Sequence, residues 1–233
     1  MKMIAKVWKQ NKGFVLFIFL MLFFRSAIAD WYHVPSGSMQ PTILIGDRVL
    51  VDKLAYDMKI PFTQINLNRQ AEPKRGDIIV FDSKVSEERL IKRVIGLPGD
   101  VIELRNNRLL INHQPVGIEL VEYASEFDDF LNDRDVATYY RETLTADEIE
   151  KSSHTIRIRL DRFSPSSSFA SIKVPPDNYW VMGDNRDNSA DSRVIGLVPR
   201  EELIGRAESV VISLDKNNYY LPRKGRYFVE LSF

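Results

Sequence analysis

The chain has 233 residues, enough for one sizeable domain or two small ones around a real core, and 32 lysines and arginines balance 32 aspartates and glutamates. It has no cysteine, which excludes disulfides, Cys-based metal sites and a thiol nucleophile. The neutral total hides an asymmetry: residues 1–29 carry five basic groups and no acidic one, leaving 27 basic against 32 acidic from Asp30 onward. A mildly acidic main part argues against nucleic acid as its partner.

Phe14–Phe24 is a run of eleven large apolar residues, preceded by Lys9 and Lys12. A buried core helix fits poorly, because the run is apolar all round and sits at a charged terminus. A cleaved secretory signal fits better, with a basic start, an apolar core and Ala27-Ile28-Ala29 as a small-x-small cleavage site. A retained anchor needs about 20 residues to cross the hydrocarbon. Residues 13–32 supply them if Arg25 snorkels towards the headgroups and Trp31 and Tyr32 sit in the interfacial belt. Either way the basic residues 1–12 stay cytoplasmic and everything after Asp30 is exported.

Next comes Val34-Pro-Ser-Gly-Ser-Met-Gln-Pro-Thr42. As plain structure this is a turn; as chemistry, Gly37 lets the backbone turn sharply and present one hydroxyl on a rigid loop. A serine is a poor nucleophile until a base takes its proton. None of the three histidines is well placed in sequence: His113 lies in a turn, His154 opens a strand, and His33 has no evident orienting aspartate.

Beyond this point short runs rich in Val, Ile and Leu, several alternating with polar residues, read as strands. They are Asp47–Lys53, Asp77–Phe81, Leu90–Ile95, Val101–Leu104, Leu109–Asn112, Thr155–Leu160, Tyr179–Met182 and Glu208–Ser213. Turn signals separate them, and no strand–helix alternation appears, so a mainly β, antiparallel fold is expected. Arg75-Gly76-Asp77 reads as a turn into its strand rather than an adhesion tripeptide. In Leu90–Ile95, Lys92 and Arg93 point to opposite faces. A lysine turned inward among Ile91, Val94 and Ile95 would be desolvated and able to act as a base, which an arginine cannot. Glu119–Glu150, with eleven acidic and two basic residues, reads as a peripheral, solvated segment. Met182–Arg193 (MGDNRDNSADSR) fails the calcium-loop template, with Ser189 where glycine belongs and Ile195 where glutamate belongs. Its density of Asp, Asn, Ser and Arg suits a layer that orients a catalytic group.

Taken in order after an apolar segment, PSGSMQPT, RGDIIVF, IKRVIGLPGD and GDNRDNSADSR closely resemble the motifs of bacterial type I signal peptidases. The resemblance runs from about Phe24 to Arg193, more loosely to Gly205, and is weak over 117–173, a variable insertion. It implies an antiparallel β peptidase domain over 33–233 behind one transmembrane helix at 13–32, so that the anchor is kept. It implies Ser38 as nucleophile, Lys92 as general base, and the Ser36 hydroxyl with the Ser38 N–H as oxyanion hole. Ser189 then orients the lysine, Asp191 and Arg193 form a supporting ion pair, and Asp184 and Asn188 scaffold the loop. Family substrates are exported preproteins cut after small residues. By position Tyr32, Val34, Ile43 and Ile91 are candidates for the shallow pockets.

The expected setting is single-pass in the bacterial inner (cytoplasmic) membrane, the peptidase outside, as a monomer without metal or cofactor. Competing readings are a pilin-maturing relative, a self-cleaving repressor, which the anchor and lack of a DNA-binding segment disfavour, and a non-catalytic anchored peptide-binding domain.

Overall fold

The computed structural model describes residues 2–63, 65–121, 137–145, 151–159 and 167–231. Helix α1 (Lys2–Ala27) leads into β1 (Ala29–His33), β2 (Asp47–Asp52), β3 (Asp57–Lys59), β4 (Asn66–Arg69), β5 (Ile78–Ser83) and β6 (Glu88–Gly96). There follow β7 (Val101–Arg105), β8 (Arg108–Ile111), β9 (Gln114–Pro115), β10 (Gly117–Leu120), β11 (Ala137–Thr145) and β12 (Lys151–Arg159). The chain ends with β13 (Phe169–Lys173), β14 (Asn178–Met182), the one-turn helix α2 (Ser192–Ile195), β15 (Val198–Pro199), β16 (Leu203–Asp215) and β17 (Leu221–Glu230). All eight strands expected from sequence form, with shifted ends; Leu160, the last residue of one, lies outside the described residues.

The main sheet runs β1-β2-β16-β5-β6-β14-β15, with β17 also on β16. Three smaller sheets join it: β10-β11-β12, β13-β7-β8-β9 and β3-β4. Period-two patterning builds β2, where Asp47, Val49 and Val51 are buried and their neighbours less so. β5 and β6 depart from alternation because they lie mid-sheet with both faces covered. β17 has no fully buried residue, so pairing with β16 rather than an apolar pattern defines it.

β6 is where three apolar clusters meet. Ile91 packs on the one holding Met39, Ile43 and Val49, Val94 belongs with Tyr179 and Val181, and Ile95 with Ile102, Trp180 and Met182. With both faces of the strand covered, Lys92 and Arg93 are both buried, at 2% and 0% exposed.

The N-terminal segment also differs from expectation. The helix stops at Ala27 rather than Tyr32, because Ala29–His33 pairs with β2 in the main sheet. Arg25 does not reach outward alone: it pairs with Asp30 at 2.7 Å and lies over the Trp31 ring at 4.9 Å. Lys53 Nζ caps the helix end by donating to Arg25 O at 2.7 Å. No helix among the described residues is long and apolar enough to cross a membrane. The eleven-residue run spans about 16 Å at 1.5 Å per residue, roughly half a hydrocarbon core. Every one of its side chains except Ile18 is exposed.

The acidic segment is likewise not all solvated surface. Residues 122–136 and 146–150 lie outside the described ones, but Glu142, on β11, is 1% exposed.

Candidate active site

The serine turn is rigid because its flanks are core residues. Met39 and Ile43 are wholly buried, and the backbone closes through Gln40 N–H to Gly37 O (3.1 Å) and Ile43 N–H to Met39 O (2.9 Å). The sharp turn expected at Gly37 forms without a left-handed conformation there; Gly46, at φ +93°, supplies one at the next turn. At Gly37 a Cβ would lie 2.8 Å from Gln40 Oε1, so a larger residue there requires the Gln40 side chain to turn aside.

Ser38 and Lys92 are 54 residues apart in sequence and meet in space: Lys92 Nζ donates to Ser38 Oγ at 2.8 Å and to Ile91 O at 2.9 Å. Both are nearly inaccessible, at 6% and 2%. No carboxylate among the described residues pairs with the amine. Burial lowers its pKa to about 8, against the opposing pull of Asp191 and Asp184.

The loop after β14 closes over this pair. A Cβ on Gly183 would fall 2.4 Å from Ser38 O and 2.3 Å from Ser189 Oγ, so only glycine fits there. Asp191 binds Arg193 through two contacts of 2.8 Å and accepts from Gly183 N–H at 2.9 Å. Asp184 accepts from Arg93 Nε and Nη2 at 2.9 and 2.7 Å and from the Thr42 hydroxyl at 2.5 Å. Burial alone would raise both carboxyls; the facing guanidiniums outweigh it and hold them below the ordinary range.

The other expected site residues fall unevenly. Ser36 is exposed beside the turn. Ser189 does not bond Lys92; its buried hydroxyl lies beside the Asp191 carboxylate. Asn188 is exposed and contributes only its backbone N–H, to Asn185 O. The scaffold is Asn185, which sequence reasoning missed: its N–H donates to Ser38 O and its Nδ2 to Gly37 O, each at 3.0 Å. Of the pocket candidates, Val34 and Ile43 are enclosed in the core, leaving Tyr32 and Ile91 with surface a ligand can touch. Tyr32 lies under the Arg89 guanidinium at 4.7 Å. His33 and His113 are exposed, and His154 is buried in a charged cluster behind the loop.

That cluster was also missed. Glu142 on β11 and His154 on β12 are cross-strand neighbours. Arg186 grips Glu142 with both terminal nitrogens. His154 Nε2 lies 3.3 Å from Glu142 and 3.8 Å from Asp184. Arg186 and His154 outweigh burial to hold the Glu142 carboxyl at about 2, while burial and Arg93 lower the His154 pKa. The one signal in the sequence was a glutamate on the same strand face as Tyr140 and Leu144.

Comparison with known proteins matches residues 7–212 to the family described as "Signal peptidase, peptidase S26". Signal peptidase I of Pseudomonas fluorescens is 36% identical over 218 residues, covering 87% of this chain and 72% of the relative. Signal peptidase I of Aquifex aeolicus is 34% identical over 223 residues, covering 85% and 82%. A crystal structure of a signal peptidase I from Enterococcus faecalis is 28% identical, covers 58% of this chain and 97% of its own, and has a TM-score of 0.35.

Proposed function

The chain belongs to the S26 signal peptidase family, and we propose that it is a membrane-anchored serine endopeptidase that removes signal peptides from exported preproteins. The observation that carries this reading is the buried Ser38–Lys92 contact of 2.8 Å, made by an amine whose pKa lies near 8. At pH 7 roughly a tenth of such amines are neutral. In that fraction the same contact runs the other way, with the Ser38 hydroxyl donating to the lysine.

The Ser38 oxygen then attacks the scissile carbonyl while its proton passes to Lys92. The Ser36 hydroxyl and the Ser38 N–H steady the oxyanion. Collapse of the intermediate breaks the C–N bond, and Lys92 gives its proton to the departing amine. The neutral lysine next takes a proton from water as its oxygen attacks the acyl carbonyl, and returns that proton to the Ser38 oxygen as the ester bond breaks. The buried Ser189 hydroxyl accepts from the ammonium in between, with Asp191 and Arg193 fixing its loop.

Substrate enters extended along a strand edge, with small side chains near Tyr32 and Ile91 and a cut after A-x-A-like sites. The exposed apolar run of α1 supports an anchor in the bacterial inner membrane, crossing with the help of its flanks, N-terminus cytoplasmic and β domain outside.

The test is cleavage of a model preprotein by the detergent-solubilised chain, with the cut mapped by mass spectrometry. Ser38→Ala and Lys92→Ala should each lose activity by at least ~10³-fold without loss of fold. Wild-type activity should rise with pH through about 8, as the lysine loses its proton. Near-normal processing by Lys92→Ala would sink the base assignment.

A further inference from the structure

The insertion between β9 and β14 is the part of the chain that matches the family's motifs least, and it makes the most unexpected contacts. Arg157 of β12 donates its N–H to Asp184 O at 2.8 Å, and Arg186 N–H returns to Arg157 O at 2.9 Å. These two bonds make a parallel bridge between Arg157 and Asn185, so the insertion extends as a strand alongside the catalytic loop. Arg159 N–H donates to Asp187 Oδ2 at 2.8 Å, one turn of loop further on. On the next layer Asn185 holds the carbonyls of Ser38 and Gly37. An unbroken line of hydrogen bonds therefore runs from β12 through Asp184–Arg186 to the nucleophile's own peptide.

What locks this line sideways is Glu142. Its carboxylate takes both terminal nitrogens of Arg186, and the pair is 1% and 2% exposed by side chain. A buried bidentate pair fixes direction as well as distance, and removing one partner leaves a lone charge with no water to meet it. Arg75, at the start of β5's turn, ties the far end of β11 to the main sheet through Thr145 O at 2.9 Å. We infer that Glu142, acting through Arg186 and Asn185, is a positioning residue that sets the distance of Ser38 from Lys92, so that the insertion is part of the active site's support.

The inference rests on the peptidase reading, and the experiment separates the two. Steady-state cleavage and its pH profile are measured for the full-length solubilised chain, wild type against Glu142→Gln. Glu119→Gln, exposed on β10 of the same insertion, is the control. The double variant Glu142→Gln with Arg186→Gln leaves no lone buried charge. With the loop loosened, Ser38 stands off and water reaches Lys92, which is faced by Ser38, Asp184 and Asp191.

The expected result is a fall in kcat of tenfold or more in Glu142→Gln, with KM within about twofold. The acid limb should move to higher pH by half a unit or more, and Glu119→Gln should match wild type. The folded double variant should show the same two changes. An unmoved limb and kcat in a folded variant overturns the inference, as does a loss of activity explained by the unfolded fraction alone. Failure of both variants to fold also overturns it, making the cluster a folding determinant. An inactive wild type instead removes the peptidase reading beneath it.

Discussion

Lys92 and Arg93 are neighbours on one strand, both buried, in opposite electrostatic surroundings. Arg93 meets a carboxylate with two of its nitrogens and gives a third bond to Gly76 O. Lys92 meets a hydroxyl and a carbonyl, with Asp184 and Asp191 acting only from a distance. A guanidinium keeps its proton in a protein, so burying it requires a partner; an amine can escape the cost by giving the proton up. The pair thus separates two uses of buried charge: Arg93 holds the loop, and Lys92 is left without a counter-charge, as the base proposed above requires.

The largest effect should come from breaking the paired half of that contrast. Asp184→Asn leaves Arg93 buried without a counter-charge and takes the negative charge from beside Thr42 and His154. Removing one partner of a buried pair costs about 3–5 kcal/mol. Thermal unfolding should therefore show a large fall in Tm, with a partial return when Arg93→Met is added. A Tm within a degree of wild type would mean that the bidentate pair contributes nothing to the fold.

The unpaired half should respond in the opposite direction. Holding the Lys92 amine at about 8 rather than its ordinary 10.5 costs the fold ~3 kcal/mol below that pH. The cost is fully present below about pH 8 and disappears as pH rises towards 10.5, because only the unfolded chain still binds the proton there. Lys92→Met should thus abolish cleavage and raise stability at pH 7 by about 1–3 kcal/mol, less what the two lost hydrogen bonds return. The gain should vanish near pH 10.5. A destabilised Lys92→Met protein would show that the lysine is comfortable where it lies.

Much of this was legible in the sequence, for reasons that differ by residue. Ser38 and Lys92 stood in ordered motifs, and the apolar neighbours of Lys92 foretold its desolvation. The three clusters that bury it come from distant strands, and nothing local revealed that Arg93 would be covered as well. Asn188 and Asn185 are chemically alike and three residues apart, so only the turn geometry decides which faces the serine. Glu142 was hidden by company: among eleven acidic residues it looked like solvated surface, and its burial follows from the β11–β12 pairing. β1 was read as the end of a helix because Trp31 and Tyr32 suit an interface as well as a sheet.

His154 offers the smallest and most selective test of the paired cluster. Burial, with Arg93 beside it, keeps its folded pKa below the ordinary 6.5. Below that pH the unfolded chain takes up a proton that the folded one refuses, so stability falls as pH drops towards the folded value. Glu142 acts in a separate window: its carboxyl, held at about 2 instead of 4.5, contributes stability that is lost only as pH falls between those values. His154→Gln keeps a polar group in the cavity and removes the titration. Its Tm should therefore decline less than wild type's between pH 6.5 and 4.5. An unchanged slope in the upper window would place the imidazole's proton in the folded state, beside Arg93 and against the charge balance of the cluster.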